Sequence, residues 1–220
     1  MSYHLSNKTI LITGANGFVG SFLLRKLLLY KNYKLKIVSR KNINIHGDNA
    51  EVILIKDLNA FNDWATLLED VDYIFHLVGV SHFSNKLKNE KDYFYKINVH
   101  LTKKIVEGAA ISKVKKIIFL SSIKVNGEFT SDNTMFSEKD IPKPQDAYGK
   151  SKLEAERGLF DLAENTDMEL TVIRPPIIYG PGVKGNFDKL IKILLLGFPL
   201  PFGSVILVLS PKIADPPGLV

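Results

Sequence analysis

Apolar residues along this chain fall into short, largely β-branched runs that alternate with longer stretches of helical spacing. Lys8-Thr9-Ile10-Leu11-Ile12 predicts a strand, and Ser21 to Leu29 predicts a helix with a wide buried face. Further strands are predicted at Lys34–Ser39, Glu51–Ile55, Asp72–Leu77, Lys116–Leu120 and Glu169–Ile173. Helices are predicted between them at Phe61–Glu69, at about Glu90–Ile111 and at Ala147–Glu164, with a last one over about Asn186–Leu196. Apolar strands alternating with helices predict an α/β fold: a Rossmann-type, doubly wound parallel sheet with helices on both faces. Such a sheet binds ligands at the carboxyl ends of its strands, so the loops there are where chemistry is expected.

The first of those loops is the most informative. Thr13-Gly14-Ala15-Asn16-Gly17-Phe18-Val19-Gly20 joins the first strand to the first helix, with the spacing G-x-x-G-x-x-G. Gly14 permits a tight turn, Gly17 lets backbone approach a pyrophosphate, and Gly20 lets the helix pack closely on its strand. The helix start then offers free N–H groups and a positive dipole end to phosphates. Gly14, Asn16, Gly17, Phe18, Val19 and Gly20 are therefore candidate cofactor-binding residues. After the second strand stand Ser39 and Arg40, where an acidic residue would bind the ribose 2′-hydroxyl of NAD. Ser39 and Arg40 suit the 2′-phosphate of NADP, or form an exposed basic turn; the cofactor is expected to be NAD or NADP, tilted toward NADP. Asp57, before Leu58, is placed either to accept from an adenine amino group or to cap the next turn. Leu77-Val78-Gly79 ends the fourth strand with a small, apolar surface on which a cofactor can lie flat.

Ser121-Ser122 follows the fifth strand, and Tyr148-Gly149-Lys150-Ser151-Lys152 opens the next helix. A Tyr and a Lys four apart share one helical face. The lysine charge is expected to lower the tyrosine pKa, making a phenolate accessible that takes a proton from a secondary alcohol while hydride leaves its carbon. A serine hydroxyl on the neighbouring loop holds the same oxygen. Tyr30 and Lys34 share the spacing and read as surface; the order glycine turn, Ser-Ser, Tyr-x-x-x-Lys distinguishes the second pair.

Composition narrows this further. Hydrophobic residues make up 45% and charged residues 24%, values of an ordinary globular chain. The net charge of +6 is spread among interleaved lysines without an aromatic-basic box, which reads as a solvated surface rather than a nucleic-acid site and suits an anionic small substrate. The absence of cysteine removes disulfides and thiol nucleophiles and fits a reducing cytoplasm, and the first eight residues carry no apolar leader. The uncharged run Ile193–Ser210 is broken by Gly197, Pro199, Pro201 and Gly203, so a helix end, loop and short strand are expected there rather than a membrane span.

Together these residues resemble the extended short-chain dehydrogenase/reductase family, especially UDP-glucose 4-epimerase-like nucleotide-sugar enzymes. The resemblance is carried by Thr13 to Gly20, Asp57-Leu58, His76-Leu77-Val78-Gly79, Asn98 in Ile97-Asn98-Val99, Ser121-Ser122, Tyr148 to Lys152, and Arg174-Pro175 with the segment through Gly182. It implies that Ser122, Tyr148 and Lys152 are catalytic with Tyr148 the acid/base, and that Asn98 and Pro175 border the cofactor. Asn186 matches a position that contacts the substrate diphosphate, or else caps a helix. The 4,6-dehydratases of the family carry an Asp-Glu pair where this chain has Ile123 and Lys124, so dehydration is not expected. The resemblance implies a nucleotide-sugar 4-epimerase or 4-keto oxidoreductase acting on a UDP-hexose or UDP-N-acetylhexosamine for surface polysaccharide. A homodimer through a four-helix contact is also implied. Residues 1–180 are expected to form the NAD(P)-binding domain and 181–220 the start of a substrate domain, its capping part largely missing and its tail atypical. The alternative is a catalytically idle dinucleotide-binding module.

Overall fold

A computed structural model of the chain describes residues 8–45, 47–81, 89–130 and 134–182, together with Lys192 and Leu195. It divides into two compact units, Met1–Ile178 and Tyr179–Val220, with the sheet in the first. In order, the elements are β1 (Lys8–Thr13), α1 (Phe18–Leu27), β2 (Tyr33–Ser39), β3 (Ala50–Leu54), α2 (Trp64–Leu68) and β4 (Tyr73–His76). They continue with α3 (Glu90–Phe94), a π-helical segment (Tyr95–His100), α4 (Leu101–Ile111), β5 (Lys116–Leu120), a 3-10 turn (Ile123–Val125), α5 (Ala147–Ala163) and β6 (Glu169–Ile173).

The six strands form one sheet in the order β3-β2-β1-β4-β5-β6, every neighbouring pair parallel. Successive side chains of a strand point to opposite faces, and the two faces have separate cores. Ile10 and Ile12 of β1 join Leu35 and Ile37 of β2 beneath Leu24 of α1. On the other face Leu11, Val38, Ile74, Ile117 and Phe119 meet Trp64 and Leu68 of α2, Leu101, Ile105 and Val106 of α4, and Leu159 of α5. That distribution follows from right-handed crossovers: the chain runs outward from β1 to β3, crosses back, and runs outward again from β4 to β6. The reversal between β1 and β4 is the topological switch point, and the strand ends there are the expected ligand crevice. At the opposite edge Asp72 accepts from the Thr9 amide (3.0 Å), Lys115 (2.7 Å) and Lys8 (3.2 Å), tying β1, β4 and β5 together.

Two helices differ in extent from the pattern-based expectation, and a third differs in geometry. The first helix starts at Phe18 rather than Ser21, because Gly17 leaves the turn with an extended ψ of 171° and is itself the N-cap. The second is confined to Trp64–Leu68; Phe61 precedes it and packs edge-on against the Trp64 ring at 5.1 Å. The stretch Glu90–Ile111 is helical throughout but passes through π geometry around Asn98, a departure that often marks functional positions. The expected helix Asn186–Leu196 lies outside the described residues apart from Lys192 and Leu195, as do Asn186 itself and nearly all of the uncharged run Ile193–Ser210. Among the described residues no helix is long and apolar enough to cross a membrane.

Candidate functional site

The glycine turn closes on itself at the switch point. The Gly17 amide donates to the Gly14 carbonyl at 2.9 Å. Gly14 has φ +75°, and a Cβ there would lie 2.6 Å from the Val78 nitrogen, so only glycine lets the turn lie against the end of β4. A Cβ on Gly20 would fall 2.2 Å from the Gly14 carbonyl oxygen, so α1 rests directly on the turn. No side chain caps α1, and its first turn holds no acidic residue. The start of the helix thus presents backbone donors and no competing anion, which fits a dinucleotide pyrophosphate. Phe18 and Val19 are half-buried at that helix start, while Asn16 is exposed.

The other sequence-selected positions around this edge are engaged in the protein's own bonds. The Asn16 amide donates to Ser39 Oγ at 2.9 Å; the same oxygen accepts from the Lys41 amide and donates to the Lys41 carbonyl. Ser39 is therefore a buried tie between the β2 end and the glycine turn, and the exposed Arg40 is the free member of the pair proposed to meet a 2′-phosphate. Asp57 Oδ1 accepts from the Asn59 and Ala60 amides at 2.9 and 3.3 Å, a turn cap, with Leu58 buried beneath. Leu77 and Val78 are half-buried and Gly79 is exposed at the β4 end. Asn98 is fully buried: its amide donates to the Val80 carbonyl and to Ser151 Oγ, both at 3.0 Å, and its oxygen accepts from the Val80 amide at 2.9 Å. Asn98 shapes the edge of the crevice by holding the chain after β4.

His76 is a further buried polar residue here. Its Nδ1 lies 2.8 Å from Thr13 Oγ1 and its Nε2 2.9 Å from Thr102 Oγ1. Thr102 donates its proton to the Asn98 carbonyl, so it accepts from His76, and the ring is the Nε2–H tautomer taking a proton bond from Thr13. Burial, and after it the Lys152 charge, hold this ring down to about 3, so it is neutral in any physiological buffer.

Ser122, Tyr148 and Lys152 come together across the ends of β5 and α5. Ser122 caps the 3-10 turn, Asp146 caps α5 through the Gly149 amide at 2.6 Å, and the Ser122 hydroxyl acts on the Tyr148 phenol from the neighbouring loop. Glycine at 149 is required by packing, since a Cβ would lie 2.8 Å from the Lys124 carbonyl oxygen. Burial pushes the Tyr148 phenol up; the Ser122 hydroxyl and the Lys124 charge pull it down, and Asp146 pushes it up again. Here the structure corrects the sequence expectation: burial outweighs the lowering influences, and the neighbouring cation acting on the phenol is Lys124. Lys152 instead directs its ammonium to the Leu120 carbonyl at 2.9 Å and over the Phe119 ring at 4.5 Å. Burial lowers that ammonium to about 8 against the opposing pull of Glu156. It reaches the exposed strand end, where a Cβ on Gly79 would stand 3.1 Å from Nζ. Pro175 is half-buried on the other side of Ser122, its carbonyl accepting from the Ile123 amide at 3.0 Å.

Residues 10–199 match the NAD dependent epimerase/dehydratase family. The chain belongs to that family. It is 40% identical over 199 residues to the UDP-glucose 4-epimerase of Vibrio cholerae, an alignment covering 90% of this chain and 60% of that protein. It is 28% identical over 188 residues to the N-acetyl-alpha-D-glucosaminyl-diphospho-ditrans,octacis-undecaprenol 4-epimerase of Escherichia coli O157:H7, covering 84% and 54% respectively. Among solved structures, a variant of UDP-glucuronic acid 4-epimerase from Bacillus cereus, in complex with UDP-4-deoxy-4-fluoro-glucuronic acid and NAD, superposes with a TM-score of 0.75 at 25% identity. That match covers 87% of this chain and 64% of the other. The chain thus spans about three fifths of the length of these family members.

In this epimerase/dehydratase-family chain one residue escaped the sequence reading. Glu156, 1% exposed, accepts from Ser121 Oγ and from Arg174, whose Nε and Nη2 approach at 3.0 and 2.6 Å. Arg174 Nη1 goes on to Asn126 Oδ1 at 3.1 Å. The available signal was spacing: Tyr148, Lys152 and Glu156 fall at i, i+4 and i+8, a polar stripe on the buried side of α5. A groove of about 470 Å³ lined by Ile10, Tyr73, Phe75 and Ile118 lies on the face of the sheet carrying α1 and contains none of these groups. Among the described residues no cluster of His, Cys, Asp or Glu is placed to hold a metal ion.

Proposed function

We propose that this chain carries the active site of a nucleotide-sugar 4-epimerase or 4-keto oxidoreductase, working with NAD on a UDP-hexose or UDP-N-acetylhexosamine. The observation that carries the reading is the convergence of the Ser122 loop, the helix of Tyr148 and Lys152 and the end of β4 at one crevice beside the glycine turn, with Lys152 Nζ on the Leu120 carbonyl and against Gly79. The glycine turn and the α1 amides would hold the dinucleotide's pyrophosphate, and Lys152, with ammonium hydrogens beyond its bond to Leu120, would hold its ribose hydroxyls. When bound, the dinucleotide supplies the acceptor and donor of hydride. Tyr148 takes the proton from the sugar's 4-hydroxyl and returns it to the same oxygen. Ser122 holds that oxygen throughout and stabilises charge developing on it. Half-buried Leu77, Val78 and Pro175 limit water at the reacting carbon. Ile123 and Lys124 stand where the family's dehydratases carry the acidic pair an elimination needs, which leaves 4-epimerisation or 4-keto oxidation and reduction.

NAD is the cofactor of this proposal rather than NADP, because the Ser39 hydroxyl is engaged with Asn16 and Lys41 and Arg40 alone remains for a 2′-phosphate. The test is chromatography of UDP-sugars after incubation with NAD, alongside calorimetric titration of NAD. Interconversion of 4-epimers is expected, falling about 100-fold or more in Tyr148→Phe while NAD affinity changes less than about threefold. Undiminished turnover in that variant, or no binding of NAD by the wild type, would overturn the reading. Binding of NAD without turnover would leave the idle dinucleotide-binding module.

A further inference from the structure

We infer that Glu156 is a positioning residue: its one buried carboxylate holds the Ser122 loop and the Pro175 strand end in register with the helix of Tyr148 and Lys152. The inference rests on the reading of those residues as the reaction site. Glu156 lies two helical turns beyond Tyr148 on the same face, 1% exposed, and its partners come from two other segments. Ser121, immediately before Ser122, donates to Oε1. Arg174, immediately before Pro175, donates through Nε and Nη2 in a fork to both oxygens. The two segments are also joined backbone to backbone, the Ser121 amide on the Ile173 carbonyl (2.8 Å) and the Ile123 amide on that of Pro175 (3.0 Å). Arg174 reaches Asn126 at the far end of the Ser122 loop, and Asn126 holds the Ser137 carbonyl at 2.9 Å.

The arrangement is more than a stability device in its geometry. A buried ion pair is on average no more stabilising than an apolar replacement, but its directional bonds fix where the partners sit. Here every partner of the carboxylate adjoins a residue of the proposed site, while the sheet core below it is apolar and has no need of the pair. A displacement of Ser122 would move its hydroxyl relative to the Tyr148 phenol, and catalysis is steep in displacements of a fraction of an ångström.

The test uses the full chain with Glu156→Gln and Ser121→Ala. The first removes the charge in nearly the same shape; the second leaves the Glu156–Arg174 pair intact and cuts only the limb to the Ser122 loop, so it remains informative if the first does not fold. Amide hydrogen exchange read by mass spectrometry is expected to rise about tenfold or more over residues 121–127 and 174–178 in Glu156→Gln. In Ser121→Ala the rise is expected over 121–127 alone, with the β1 to β4 peptides unchanged in both. Turnover number is expected to fall about tenfold in Glu156→Gln, with KM and NAD affinity within about threefold. Wild-type exchange over 121–127 in both variants, or a uniform rise across the whole sheet, would overturn the inference. Undiminished turnover in Tyr148→Phe would instead overturn the reading of the site and would leave the exchange result to decide whether Glu156 organises these segments.

Discussion

His76 makes the pH dependence of this fold calculable. Its ring is 0% exposed, held between Thr13 and Thr102, and stacked on Phe119 at 5.6 Å, with burial and the Lys152 charge keeping it at about 3 against an ordinary 6.5. The depressed value fixes the sign. Above 6.5 the ring is neutral in both folded and unfolded chains and the fold keeps its full stability. Between 6.5 and about 3 only the unfolded chain takes up the proton, so stability is lost as the pH falls through that window and levels off below it. At about 1.4 kcal/mol per pH unit, the loss from this residue is about 1.4 kcal/mol between pH 7.5 and 5.5, and about 2.7 kcal/mol by pH 4.5. Urea denaturation at those three pH values, in wild type and His76→Gln, isolates the contribution as a difference of slopes. Long-range nitrogen–proton NMR of the ring should report the Nε2–H tautomer, unchanged down to pH 5. A ring that titrates near 6.5 in the folded chain, or parallel pH slopes for the two proteins, would refute the reasoning.

Gly20→Ala places a Cβ 2.2 Å from the Gly14 carbonyl oxygen, backbone against backbone, and should cost about 2 kcal/mol or more in urea denaturation together with a loss of NAD affinity; an unchanged denaturation midpoint would contradict it. Asp146→Asn keeps an oxygen for the Gly149 amide but removes one of the two carboxylates paired with Lys124, the other being Glu128, and an anion that pushes the Tyr148 phenol up. Its stability should change by less than about 0.5 kcal/mol, because the pair is partly exposed, while the pH–rate profile assigned to Tyr148 moves to lower pH. Asp146→Ala removes the cap as well and should cost about 1 kcal/mol more; equal stability of the two variants would show that the cap contributes nothing.

What the sequence made legible was whatever a periodic pattern or a steric rule dictates. The strands were placed to within one residue at each end because β-branched and aliphatic residues cluster in them between polar turns, and β5 and β6 were placed at their observed ends. The glycine turn was legible because Gly14 and Gly20 answer to geometry that no other residue satisfies. What stayed hidden depends on side chains reaching between segments distant in sequence. Ser39 looked like a ligand group from its place after β2, and Asp57 like a ligand group or a turn cap; the oxygens of both close local turns, a competition that residue type cannot decide. Asn98 matched a family motif but its role as a tie between the β4 end and α5 required Ser151, 53 positions away, to be seen beside it. The pKa of Tyr148 was misjudged because helical spacing puts Lys152 on the right face without saying that its ammonium turns to the Leu120 carbonyl.

The distribution of buried polar residues argues for a site on its own. Thr13, Ser39, His76, Asn98, Thr102, Ser121, Ser122, Asn126, Ser151, Lys152 and Glu156 are all buried. Each sits at the carboxyl end of a strand, in the loop that follows it, or on the helix face turned toward that end. The amino half of the sheet buries Thr9 and otherwise apolar side chains. Burying a polar group costs stability unless its bonds are made, so a core shaped by stability alone would scatter such groups or omit them. Here they are concentrated along one edge and wired in series: Thr13 to His76 to Thr102 to the Asn98 carbonyl, Asn98 to Ser151 to the Tyr148 carbonyl, and Ser121 to Glu156 to Arg174. Each series ends on a segment that carries Gly14, Tyr148 or Ser122. Among the described residues the fold accepts that cost only along the edge where the switch point opens a crevice, which is where the side chains of a site have to be held to a fraction of an ångström.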